Sequence, residues 1–176
     1  MVDSKLAKKI YNISHLSGKF LLRSGNISNE YFDKYLFESD PLILKRIVQK
    51  MSKLIPDQTE ILAGLEMGGI PIATTLSQLS NIPTIFVRKI AKKYGTSNLA
   101  EGCGVKGKNV LIIEDIVTSG GQIILSAKKL RKLGANIQNV LCVIDREEGA
   151  TKNLTKENLE LISLFKMSEL KSSSNK

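Results

Sequence analysis

The apolar run Val110, Leu111, Ile112 and Ile113 ends abruptly at Glu114 and Asp115, and the rest of the chain is arranged around it. An unbroken apolar stretch bounded by turn residues predicts a strand covered on both faces, as in a parallel sheet between helix layers. Further strands are expected at residues 60–65, 83–87, 140–144 and 159–165. Between them the period changes from continuous to helical. Leu6, Ile10 and Ile13 share one helix face with Lys5, Lys8 and Lys9 turned away; Asp40 and Pro41 open a helix that buries Leu42, Leu44, Ile47, Val48 and Met51. A third apolar helix ends near Ser80. A fourth directs Ile123, Ala127 and Leu130 inward and Lys128, Lys129, Arg131 and Lys132 outward, and stops at Gly134. A short helix is expected after the last strand. This strand–helix alternation predicts one α/β domain over residues 1–176 with a doubly wound, mostly parallel sheet.

Two segments stand outside that alternation. Residues 18–37 read as two short strands around Ser24-Gly25-Asn26, so the first 37 residues or so form a small N-terminal hood. Residues 89–109 form a long polar connection, expected to be a mobile lid, and the tail from residue 171 to 176 is expected to be disordered.

The candidate chemistry gathers at the carboxyl ends of the strands, where open α/β sheets bind ligands. Thr118, Ser119, Gly120 and Gly121 follow the central strand and lead into a helix. Backbone N–H groups of such a turn surround a phosphate, aided by the helix dipole, while Glu114 and Asp115 can accept hydrogen bonds from vicinal ribose hydroxyls. The segment 110–122 has neither G-x-x-x-x-G-K-[ST] nor G-x-G-x-x-G, and its acids precede the glycine turn, unlike a dinucleotide site. Gly68 and Gly69, after another strand, form a candidate pyrophosphate turn, with plain turn geometry as the alternative. Arg88, Lys89, Lys92 and Lys93 sit at the start of the lid, either to neutralise a polyphosphate or as a solvated charge run. Arg23, Tyr31 and Phe32 are residues of the hood hairpin, or parts of a site for a flat anionic heterocycle.

Composition narrows the classes without choosing among them. The 26 Lys and Arg against 17 Asp and Glu give a formal charge of +9, but the lysines are dispersed, with no nucleic-acid motif. His15, the single histidine, reads as a surface or capping residue, and no catalytic or zinc arrangement can be built from it. The spacing of Cys103 and Cys142 fits neither a disulfide framework nor a metal site. No apolar run is long enough to span a bilayer and no signal-peptide core opens the chain, so a cytoplasmic protein with no membrane partner is expected.

FLLRSGNISNEYFD (residues 20–33), FVRKIAKKYGTSNLAEG (86–102), VLIIEDIVTSGG (110–121) and VIDREEG (143–149) occur in the order of the orotate phosphoribosyltransferases, a type I phosphoribosyltransferase family. The chain resembles that family from about Ser17 to Gly149. The resemblance implies transfer of 5-phosphoribosyl from PRPP to N1 of orotate, giving orotidine 5′-monophosphate in UMP biosynthesis. It further implies that Glu114 and Asp115 hold the ribose, that Ile116, Val117, Thr118, Ser119, Gly120 and Gly121 surround the 5-phosphate, and that Gly68, Gly69, Arg88, Lys89 and Lys92 meet the pyrophosphate. Lys92 and Asp115 would be the catalytic residues. Arg146 would pair with the orotate carboxylate, with Arg23, Tyr31, Phe32 and Thr118 around the base. The family also implies a homodimer whose Arg88 and Lys92 reach the neighbouring site, and Mg²⁺ bound mainly through PRPP with no direct protein ligand. Many members carry Lys at Arg23, Asp at Glu114, His at Tyr94 and Lys near Gly68. The alternatives are a phosphoribosyltransferase for another nucleobase and a non-catalytic PRPP sensor that binds nucleic acid.

Overall fold

The computed structural model describes residues 3–21, 25–90 and 99–174. Six strands form the central sheet: β3 (Ile61–Leu65), β4 (Thr84–Val87), β5 (Ala100–Glu101), β6 (Val110–Val117), β7 (Asn139–Asp145) and β8 (Glu160–Lys166), in the order β5-β4-β3-β6-β7-β8. All neighbours are parallel except β4 and β5, which pair antiparallel. The chain winds outward in both directions from β3 and β6, so the turns that follow these two strands meet at the switch point of the sheet.

Alternation along the strands supplies both helix layers. Leu62, Leu111, Ile113, Leu141 and Val143 face a core shared with α1 (Ser4–Ser14), α3 (Pro41–Met51), α4 (Gly69–Ser80) and α7 (Met167–Ser174). Ile61, Ala63, Val110, Ile112, Val140 and Cys142 face the other core, with α5 (Gly121–Lys132) and α6 (Ala150–Thr155). Each fully buried Leu or Ile side chain stabilises the fold by about 1.5–3 kcal/mol. The expected cap of α3 is present: Asp40 accepts from Leu42 N–H at 2.9 Å and Ile43 N–H at 3.0 Å.

The hood is narrower than the sequence pattern predicts. Strands β1 (His15–Leu21) and β2 (Ile27–Phe32) form an antiparallel hairpin, but α1 belongs to the main core, where Leu6, Ala7 and Ile10 are fully buried. His15 ends α1 as its cap, stacks on Tyr11 at 4.9 Å and pairs with Glu30 at 2.8 Å. Both cysteines are free, Cys103 exposed and Cys142 buried.

Three further differences each have a physical cause. Helices α2 (Tyr35–Ser39) and α6 span 5 and 6 residues, too short to register a helical period. The expected lid contains β5, paired with β4 through Phe86↔Glu101 and Val87↔Ala100, a contact set by the partner strand and not by local pattern. The tail expected to be disordered instead continues α7 to Ser174, because Leu170 is buried and the Ser172 and Ser173 hydroxyls donate to the Glu169 carbonyl.

Candidate active site

Strand β6 runs past the acids to Val117, and this extension decides where they point. In-strand neighbours project to opposite sides of the sheet. Glu114 lines a cavity of about 210 Å³ together with Ile116, Val117, Thr118, Ser119, Gly120 and Gly121. Asp115 turns the other way, toward α2, and is only 1% exposed. Its Oδ1 accepts from the Ile116 N–H, and its Oδ2 lies 2.5 Å from Lys34 Nζ. The structure therefore gathers the expected 5-phosphate residues and Glu114 around one cavity, and places Asp115 behind it.

The candidate phosphate turn is built as follows. Gly120 begins α5 without a side-chain cap, leaving first-turn amides for an anion, and Asn153 Nδ2 steadies the turn by donating to the Ser119 carbonyl at 3.0 Å. Gly68 and Gly69 stand on the other side of the switch point. A Cβ on Gly68 would lie 1.5 Å from Asp115 Oδ2, and one on Gly69 would lie 2.3 Å from the Ile113 carbonyl oxygen. Only glycine allows this turn to sit on the end of β6.

A second cavity, of about 170 Å³, opens under the hood, lined by Tyr31, Phe32 and Arg146 with His15, Glu30 and Lys171. The Arg146 N–H donates to the Val117 carbonyl at 2.9 Å, so the two cavities flank one backbone hydrogen bond. The Arg146 guanidinium is paired with Glu148 at 3.0 Å. Thr118 lines the first cavity and not the second. Arg23, Lys92 and Tyr94 lie outside the described residues.

At the lid neck, Arg88 N–H donates to the Leu99 carbonyl at 2.9 Å, and its Nε faces Glu101 at 3.7 Å. Lys89 N–H donates to Glu66 Oε1 at 2.6 Å, and Lys129 Nζ donates to the Lys89 carbonyl at 3.2 Å. Glu66 precedes the glycine turn, so the lid neck and the candidate pyrophosphate turn are tied to each other. Among the described residues no helix is long and apolar enough to cross a membrane.

The phosphoribosyl transferase domain family matches residues 38–162. Orotate phosphoribosyltransferase of Nocardioides sp. is 46% identical over 169 residues, covering 96% of this chain and 94% of that protein. The chain belongs to the orotate phosphoribosyltransferase family. Its fold is that of the Mycobacterium tuberculosis orotate phosphoribosyltransferase, with a TM-score of 0.85 at 28% identity, covering 95% of this chain and 97% of that one. A structure of the M. tuberculosis enzyme in complex with PRPP aligns with a TM-score of 0.80 at 26% identity, over 96% of this chain and 98% of that one.

Pattern reading missed Lys34 and Glu38, which meet Asp115 from either end of α2. Their only sequence signal is position beside the hood motif. Burial first, then the charge of Asp115, raises the carboxyl of Glu38 to about 8, and the same causes raise Glu114 to about 8. Burial opposes the charge on Lys34, but the Asp115 carboxylate outweighs it and raises the lysine. For Glu38 the folded state binds its proton more tightly than the unfolded chain does. Its contribution to stability is therefore complete below the usual carboxylate range near 4.5 and is lost as pH rises to about 8. Glu38→Gln, which removes the titration, is expected to raise Tm by roughly 2–4 °C at about pH 8 and to change it little at about pH 5. Equal shifts at both pH values in thermal melts would contradict this assignment.

Proposed function

We propose that the protein transfers the 5-phosphoribosyl group of PRPP to N1 of orotate, releasing pyrophosphate and forming orotidine 5′-monophosphate. The observation that carries this reading is the pair of cavities on one sheet edge: a small-residue turn with Glu114 in one, Arg146 with Tyr31 and Phe32 in the other, joined at the Arg146–Val117 hydrogen bond. The names of the family's members, and the PRPP complex of the M. tuberculosis enzyme, support the same assignment.

In this reading the Thr118–Gly121 amides hold the 5-phosphate and Glu114 meets a ribose hydroxyl. Burial raises the Glu114 carboxyl to about 8, so below that pH it can donate as well as accept. Gly68 and Gly69 offer backbone amides to the pyrophosphate, whose charge Arg88, Lys89 and Lys92 neutralise. Arg146 binds the base carboxylate while Tyr31 and Phe32 flank the ring, with Arg23 assigned to the same base. As the C1–O bond breaks and the N1–C1 bond forms, these groups position the partners and stabilise the departing charge. Among the described residues no cluster of three or more His, Cys, Asp or Glu is placed to hold a metal. Glu114 is the one acidic side chain lining the phosphate cavity, and a Mg²⁺ held mainly by substrate oxygens and water would neutralise the pyrophosphate. We further assign a cytoplasmic homodimer in which Arg88 and Lys92 complete the neighbouring site.

The test is loss of orotate absorbance on mixing the protein with Mg²⁺, PRPP and orotate, beside a uracil control. Turnover with uracil alone, or with neither base, would overturn the reading. Arg146→Ala is expected to raise the KM for orotate roughly 10- to 100-fold, the cost of one charge-assisted contact, with PRPP affinity unchanged. An unaltered orotate KM would remove Arg146 from the base site.

A further inference from the structure

Lys34 has no place in the site that the sequence motifs describe, yet it makes the closest charged contact in the structure's acidic centre. Its Nζ lies 2.5 Å from Asp115 Oδ2, while the other carboxylate oxygen of Asp115 is taken by the Ile116 N–H. The carboxylate so held fills the space that a side chain at position 68 would need: an ideal Cβ there would stand 1.5 Å from Asp115 Oδ2 and 2.9 Å from Glu38 Oε1. Asp115 is thus the floor of the Met67–Gly69 turn.

We propose that Lys34 is a positioning residue for the phosphoribosyl donor, fixing Asp115 beneath Gly68 and so setting the height of the amides that the turn offers to pyrophosphate. This rests on the phosphoribosyl-transfer reading above. The charged groups around Asp115 are Lys34 and Glu38 from the α2 segment and Glu114 from its own strand. Lys34 is the cation among them. Without it the Asp115 carboxylate is left buried with no cation against it, and it turns away from the position it holds beneath Gly68. That rotation moves the floor of the turn. The base cavity under the hood contains neither Lys34 nor Asp115 and is left as it was.

The experiment compares Lys34→Met, Lys34→Arg and the double variant Lys34→Met/Asp115→Asn by calorimetric titration with Mg²⁺ and PRPP, together with KM values for both substrates. Lys34→Met is expected to weaken PRPP binding about tenfold, as loss of an outer partner does at other oriented sites, with the orotate KM within about twofold. Lys34→Arg restores most of the affinity. The double variant removes the stranded charge, so it melts near the unmodified protein yet still binds PRPP weakly, which keeps the test open should the single variant fail to fold. PRPP affinity within twofold of the unmodified protein in either Met variant overturns the proposal, as does an equal rise in both KM values. An unmodified protein that binds PRPP but turns over no orotate strikes the choice of base and leaves the Lys34 comparison readable. One that binds no PRPP overturns the reading and the proposal with it.

Discussion

Lys92→Ala is expected to lower kcat roughly 100- to 1000-fold while leaving the KM for orotate within about twofold. The contrast follows from when its charge is needed. The pyrophosphate gains negative charge as the C1–O bond breaks, so a cation aimed at it acts mainly in the transition state and little on the bound base. Lys92 itself lies beyond the described residues, but its tether is defined: Arg88 N–H to the Leu99 carbonyl closes the neck, and Lys89 N–H to Glu66 ties that neck to the glycine turn. Mixing Lys92→Ala with Glu114→Ala tests whether the lysine serves the neighbouring subunit. If it does, random exchange leaves one intact site in each mixed dimer, and about a quarter of the unmodified activity returns. No recovery would place Lys92 in its own subunit's site, and an unchanged kcat would remove it from the chemistry.

Gly69→Ala is expected to cost about 3 kcal/mol or more of stability and to lower Tm by roughly 6–12 °C. The added Cβ would meet the Ile113 carbonyl oxygen at 2.3 Å and its carbon at 3.3 Å. Both belong to the backbone of β6, which is paired with β3 and β7, so relief requires shifting the centre of the sheet. Gly104→Ala is the control, because a Cβ there meets nothing within 4 Å. Gly68→Ala differs in kind. Its clash is with the Asp115 side chain, which can move only by leaving Lys34, so PRPP binding should suffer together with stability. A Gly69→Ala protein melting within about 2 °C of the unmodified one would show that the turn does not press on β6.

Much of the site was legible because its chemistry is local. Thr118, Ser119, Gly120 and Gly121 stand between a buried strand and an amphipathic helix, and that order alone places free amides at a helix start. Asp40 and Pro41 announce α3 in the same way. The two acids show where such reading ends. Their adjacency in sequence reads as a shared task, but the strand was expected to stop at Ile113, and its continuation to Val117 sends Glu114 and Asp115 to opposite sides. The length of β6 depends on pairing with β7 as far as Val117↔Asp145, which no local pattern records.

The sequence by itself determined the alternation of strands and helices, the helix cap at Asp40 and the small-residue turn that leads into α5, since each depends on residues within one or two turns of chain. Only the tertiary structure decided that His15 pairs with Glu30, that Glu66 holds Lys89, and that Lys34 and Glu38 enclose Asp115 beneath Gly68. Those contacts join segments far apart in the chain. The Lys34–Asp115 contact draws its strength from burial and opposed charge, which exist only once the fold has brought those segments together.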